Sequence, residues 1–184
     1  NKPEQQDFDL DNAGFKSQNH QEAEGLMSQS SLTNASRIKM PESQDVLVIH
    51  LVANKGAMVN GADLLAAAID SGLRYGEMKI FHRHLNSDGS GPILFSMANL
   101  VNPGTFDLNT MNSIDTPGVT FFMALDDVED TVSGFDNMLN TVDKLTQSLP
   151  LNIMDETRSS MTRQTIDHYR QRAKKVFSQR LAKN

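Results

Sequence analysis

The sequence predicts an α+β domain: an antiparallel sheet with three helices packed on one face, in the split β-α-β manner, and the other face left open. Three observations carry this. Strand-length apolar runs and helix-length amphipathic runs follow the order βαββ, then βα, then βα. The strands are apolar on both of their alternating sides. Only three segments have helical spacing, enough to cover one face of such a sheet and not two.

The elements follow in order. Val46–Ala53 is β-branched and apolar, stops at Asn54-Lys55-Gly56, and reads as a buried strand. Asn60 can cap a helix in which Leu64, Leu65, Ala68 and Ile69 share a face, and Gly72 supplies its left-handed stop. Met78–Leu85 and Ile93–Val101 read as a hairpin joined by the turn-forming Asn86-Ser87-Asp88-Gly89-Ser90-Gly91. Pro103-Gly104 ends it, and Asp107–Met111 fits a single helical turn. Val119–Leu125 is the next strand. A helix over Thr131–Ser148 places Val132, Phe135, Leu139, Val142 and Leu145 at helical spacing. A short strand, Leu151–Met154, leads to a last helix from Thr162 with Ile166, Tyr169, Ala173, Val176 and Leu181 as its inner stripe.

Residues 1–42 differ in kind from residues 43–184. They are rich in Gln and Ser, hold no lasting period, and space their apolar residues too widely to offset ordering entropy, so they read as a flexible acidic linker end. The chain starts at Asn1 rather than Met, which suggests a cut-down or processed product. With no cysteine, disulfides, thiolate metal sites and cysteine nucleophiles are excluded. The longest apolar run, Val46–Ala53, is far short of the roughly 20 residues that span a bilayer.

Strand alternation separates two sets of side chains. Leu47, Ile49, Leu51, Phe95, Met97, Phe121, Met123 and Leu125 belong under the helices. The opposite set should be polar if it merely met water. Instead it includes Val46, Val48, Met78, Ile80, Ala98, Leu100, Thr120, Phe122 and Ala124. Small residues would make a floor and Met78, Ile80, Leu100 and Phe122 the walls, a shape suited to the apolar side of a short peptide or amphipathic helix.

Several short motifs stand in register: Tyr75-Gly76-Glu77-Met78, Phe81-His82-Arg83-His84-Leu85, Asp88-Gly89-Ser90-Gly91-Pro92, Leu94-Phe95-Ser96-Met97-Ala98-Asn99, Pro103-Gly104-Thr105-Phe106 and Thr116-Pro117-Gly118-Val119-Thr120. From about Asp45 onward the chain resembles the C-terminal FtsZ-binding domain of the ZipA family of bacterial cell-division proteins. The resemblance implies an antiparallel sheet backed by three helices, with the uncovered face holding the C-terminal tail of FtsZ in a shallow apolar cavity. By position, its contact residues fall on Val46, Met78, Ile80, Ala98, Leu100, Thr120, Phe122 and Ala124; Val48 is added from alternation alone. Leu100 stands where the best-known pattern has Met, and Ala124 where it has Gln, which removes a rim amide. The resemblance further implies a parent anchored in the inner membrane by an N-terminal helix absent from this chain. Its linker would end in residues 1–42, and this domain would sit on the cytoplasmic face, tethering FtsZ filaments during septation. No catalytic residue, cofactor or nucleic-acid partner is expected, and the oligomeric state is left open.

Two rivals come from the residues themselves. His50, His82 and His84 share strand parity and could converge on a metal in an enzyme, although no carboxylate-rich spacing accompanies them. Residues 158–183 hold eight basic residues against Asp167 alone, a candidate nucleic-acid footprint. The same charges suit the solvated face of a packed helix, with the six carboxylates of residues 115–136 available for compensation.

Overall fold

A computed structural model describes residues 45–184, which lie within one compact unit. The expectation of a linker over residues 1–42 lies outside the described residues. Strands β1 (Val46–Ala53), β3 (Arg74–Tyr75), β4 (Phe81–His84), β5 (Ile93–Asn99), β7 (Gly118–Ala124) and β8 (Leu151–Met154) form an antiparallel sheet in the order β3-β4-β5-β7-β1-β8. Two residues each of β2 (Val59–Asn60) and β6 (Asp115–Thr116) make a separate ribbon. Three helices complete the α+β fold: α1 (Gly61–Asp70), α2 (Thr131–Ser148) and α3 (Arg163–Lys183).

Each helix starts where a side chain can satisfy its free N–H groups. Asn60 Oδ1 accepts from the amides of Ala62 and Asp63, Asp130 from Ser133, and Thr162 from Thr165. The strands show the alternation their sequence requires. In β1, Leu47, Ile49, Leu51 and Ala53 are buried while Val46, Val48, His50 and Val52 are half-buried. The first set shares a single core with Phe95, Met97, Phe121 and Met123 and with Leu64, Phe135 and Tyr169 from the three helices. The opposite parity forms a second, smaller cluster of Ile80, Ala98 and Phe122, edged by Val46 and Val48, to which no helix contributes.

Several expectations are corrected. The first hairpin strand does not begin at Met78: Met78 and Lys79 take left-handed backbone angles (φ 60° and 57°), and the ladder starts at Phe81. The return strand ends at Asn99, before Leu100. The single turn of helix falls at Met111–Ser113 instead of Asp107–Met111. Ile69 is exposed because the inner line of α1 runs through Gly61, Leu64 and Ala68, and a residue following Ala68 is turned about 100° away. Leu181 is likewise exposed. The α3 stripe of Tyr169, Ala173 and Val176 continues to Arg180, whose guanidinium donates to the carbonyls of Leu125 at 2.9 Å and Glu129 at 3.0 Å.

Helix α3 braces β1 from behind. The Tyr169 hydroxyl donates to the Val48 carbonyl at 2.9 Å and accepts from the Glu156 amide at 3.0 Å, and burial pushes its phenol up in pKa. Arg172 pairs with Asp45 and donates to the Val46 carbonyl at 3.2 Å. Removing one hydroxyl that serves both a donor and an acceptor leaves both short of a partner. Tyr169→Phe is therefore expected to lower unfolding free energy by about 1–3 kcal/mol, read in urea melts. An unchanged midpoint would mean that this brace contributes nothing.

Candidate functional site

The ladder carries the second apolar set into rows. Val46 faces Ala124, Val48 faces Phe122, and Phe122 faces Ser96, which in turn faces His82. Ala98 faces Thr120, which faces His50. Val46, Val48, Ile80, Ala98 and Phe122 thereby pack as one cluster. This face is less open than the pattern suggests: Ile80 is 0% and Phe122 4% exposed. What remains is a cavity of about 290 Å³, lined by Met78, His82, Ser96, Phe122 and Ala124 and flanked by Leu94 and Val128.

Met78 and Ala124 are thus brought to the cavity with Phe122, and Thr120 lies in the next row. Leu100 is not among the lining residues; it follows the end of β5, where its amide donates to the Gly118 carbonyl at 3.0 Å. Sequence reasoning missed His82 and Ser96 as site residues although both sit on the selected parity; the alternation alone could have named them. Leu94, Val128 and Asp127 were missed too, the last two because the turn bringing them in leaves no periodic signal.

Met78 is 53% exposed and overhangs this cavity from the turn Glu77–Lys79. Residues other than Gly and Asn pay about 1–2 kcal/mol each for left-handed angles, so the turn holds strain that its surroundings must offset.

The histidines do not converge. His50 lies on β1 and bonds Thr120 Oγ1 at 2.8 Å, whereas His82 and His84 lie on β4, three strands away. His82 bonds Ser96 Oγ at 2.7 Å and the Glu77 carbonyl at 2.9 Å; His84 meets the Gly91 carbonyl at 2.9 Å. Among the described residues, no three His, Asp or Glu side chains gather as metal ligands. Three arginines of the basic α3 are committed to their own chain: Arg170 meets Asp136 at 3.4 Å, Arg172 pairs with Asp45, and Arg180 holds the carbonyls of the 125–129 turn. Among the described residues, no helix is long and apolar enough to cross a membrane.

With this sheet and cavity in view, the comparisons are decisive. Residues 45–172 match the family model described as "ZipA, C-terminal FtsZ-binding domain". The chain belongs to the ZipA family. Curated relatives named "Cell division protein ZipA" come from the Pseudomonas fluorescens strains SBW25, Pf-5 and Pf0-1. Each is 46% identical over 132 residues, which is 72% of this chain and 46% of the relative. The matched stretch thus spans less than half the length of those ZipA proteins. The family is one of cell-division proteins, with a binding domain and not an enzyme at this end.

A titrating group, His50, stands opposite Thr120 in the row beside the cavity. Burial holds the His50 imidazole below the usual histidine value, and the Arg158 guanidinium adds to this. A lowered pKa means that the folded state binds the proton less tightly than the unfolded chain. His50 therefore contributes stability above about pH 6.5, which is lost as pH falls through its folded-state value. Urea melts between about pH 7.5 and 5 should show unfolding free energy falling on acidification, with His50→Gln flattening that slope. An equal slope in the variant would remove His50 as its source.

Proposed function

We propose that the helix-free face of the sheet docks the C-terminal tail of FtsZ, and that the parent protein thereby tethers FtsZ filaments to the inner membrane during septum formation. The observation that carries the reading is the cavity of about 290 Å³ opening on the second apolar cluster. Met78 and Phe122 supply its apolar contacts and Ala124 part of its floor. Val46, Val48, Ile80, Ala98 and Thr120 support that floor from the same face, and Leu100 follows the end of β5, away from the cavity. The family model's own description names FtsZ as what the domain binds.

A peptide with an apolar stripe on a short helix suits this shape, since its large side chains can enter while its polar face stays wet. Ala124 offers no side-chain amide, so selectivity at that rim falls to shape and to backbone groups. Leu100 in place of a methionine keeps apolar bulk outside the cavity lining and should matter little. A small apolar site gives single-site affinity on the order of micromolar. Many such weak attachments along one filament raise the effective concentration and hold it firmly. Domain position follows: on this reading residues 43–184 form the docking domain on the cytoplasmic face, and residues 1–42 close a linker that leads to the membrane anchor.

The exposed Met78 and the buried Phe122 give separable tests. Met78→Lys should weaken calorimetric binding of a synthetic FtsZ C-terminal peptide at least about tenfold with an unchanged melting point. Phe122→Ala should weaken binding as well and also cost about 3 kcal/mol of stability, because its ring packs against Ile80 and Ala98. Wild-type affinity in the Met78→Lys protein would place the tail elsewhere.

A further inference from the structure

The turn that carries Met78 is an unusual object. Glu77, Met78, Lys79 and Ile80 follow a type I′ path, with Met78 at φ 60°, ψ 13° and Lys79 at φ 57°. Such turns ordinarily take Asn-Gly at their centre, because side chains resist two successive left-handed residues. Here the centre is Met-Lys. The bond that should close the turn, from the Ile80 amide to the Glu77 carbonyl, is long at 3.4 Å. Neither central side chain offers a local hydrogen bond to compensate; the Gly76 amide donates to the Ile80 carbonyl at 3.0 Å and the Lys79 amide donates to the Gly76 carbonyl at 3.2 Å, which ties the ends of the turn but leaves its left-handed centre unsupported.

Two groups hold it. The Phe106 amide donates to the Lys79 carbonyl at 2.8 Å on the flank. On the groove side, His82 Nε2 lies 2.9 Å from the Glu77 carbonyl. A carbonyl can only accept, so Nε2 carries the proton and Nδ1 presents its lone pair. The Ser96 hydroxyl, 2.7 Å away on β5, donates to that lone pair and fixes the ring. His82 is 2% exposed, and both ring nitrogens are thus used in one orientation. The same ring lines the cavity that Met78 overhangs.

We infer that His82, oriented by Ser96, is a positioning residue for the docking groove: it latches the Glu77 carbonyl and so holds the left-handed Met78–Lys79 turn with Met78 over the cavity. This rests on the peptide-docking reading for its functional consequence, but not for its geometry. Without the latch the turn keeps its long internal bond, the two bonds to Gly76 and the Phe106 contact, but the Glu77 carbonyl loses its groove-side donor and the left-handed centre is freer to relax toward ordinary right-handed or extended angles. Met78 then spends only a fraction of its time over the cavity, and apparent affinity falls by that fraction.

The test uses the whole chain labelled with 13C at the methionine methyls, the Met78 resonance being assigned by its loss in Met78→Ala. His82→Phe keeps a flat aromatic ring, slightly larger than the imidazole, and removes both hydrogen bonds. In the free protein it should move the Met78 methyl toward its unstructured position while the core methionine methyls stay put. Calorimetric binding of the synthetic FtsZ C-terminal peptide should weaken about tenfold. In a Met78→Ala background the same His82→Phe change should cost less than about twofold, because nothing remains to be positioned. A Met78 methyl that does not move, or losses that simply multiply, overturns the inference. Should His82→Phe fail to fold, Ser96→Ala carries the test: freeing the ring should shift the same methyl by a smaller amount, and no shift overturns the inference. If the wild type fails to bind the peptide, the docking reading falls, while the free-protein methyl shift still decides the latch.

Discussion

The antiparallel ladder between β1 and β7 is the constraint on which both the core and the groove depend. Its register runs from Val46 opposite Ala124 to Val52 opposite Gly118. Because side chains alternate with a period of two, this one alignment sends Leu47, Ile49 and Leu51 into the main core and Val46 and Val48 to the second cluster. A slip of one residue would exchange the two sets and place large side chains where small ones now make a floor. The register is therefore held by the main core, which has far more apolar area at stake. The groove inherits its precision from that.

Helix α3 adds a second layer of control from the far side. Tyr169 and Arg172 reach the carbonyls of Val48 and Val46, and Arg180 reaches those of the turn that brings Val128 to the cavity. Three side chains of one helix thus fix backbone on two sides of the site without touching the cavity itself. Two of its cations, Arg172 and Arg180, are hydrogen-bond donors to backbone, a role suited to arginine's fixed fork of N–H groups and poorly filled by lysine. A cation committed in this way has little left for phosphate.

Most of the architecture was legible because it follows from periodicity. The bounds of α2 and β8 coincide with the expected ones, the cap at Asn60 stands where the first apolar turn required it, and the last helix opens at Arg163, one residue after the expected Thr162, which caps it instead. Failures came where a local pattern was continued past the point at which tertiary contacts took over. The apolar spacing of α3 extends to Leu181, yet the position the fold uses is Arg180, because carbonyl groups and not apolar side chains await it there. Ile69 was drawn into the α1 stripe by its apolar character, one step of the helix beyond the buried line. The turn at Met78 is the hardest case. No Gly, Asn or Pro stands at its centre, and Gly76 lies just before it, so alternation ran through the turn unopposed and put Met78 in a strand.

That last error separates two ways of presenting a side chain to a ligand. A strand residue on a packed sheet is buried by its neighbours, and Ala98 and Phe122 show how thoroughly this seals a face that the sequence leaves apolar. Were Met78 in the strand as well, the same packing would close over it and leave a flat surface. Reversing the backbone at Met78 and Lys79 lifts one flexible thioether out of the sheet and makes a rim. The relief that makes a cavity possible thus comes from a local departure from strand geometry, and its cost is carried by the polar pair buried beneath it. A site of this construction is shallow because its floor is an ordinary sheet face, and adaptable because its rim is a methionine on a turn. Both properties suit a partner bound weakly and many times over.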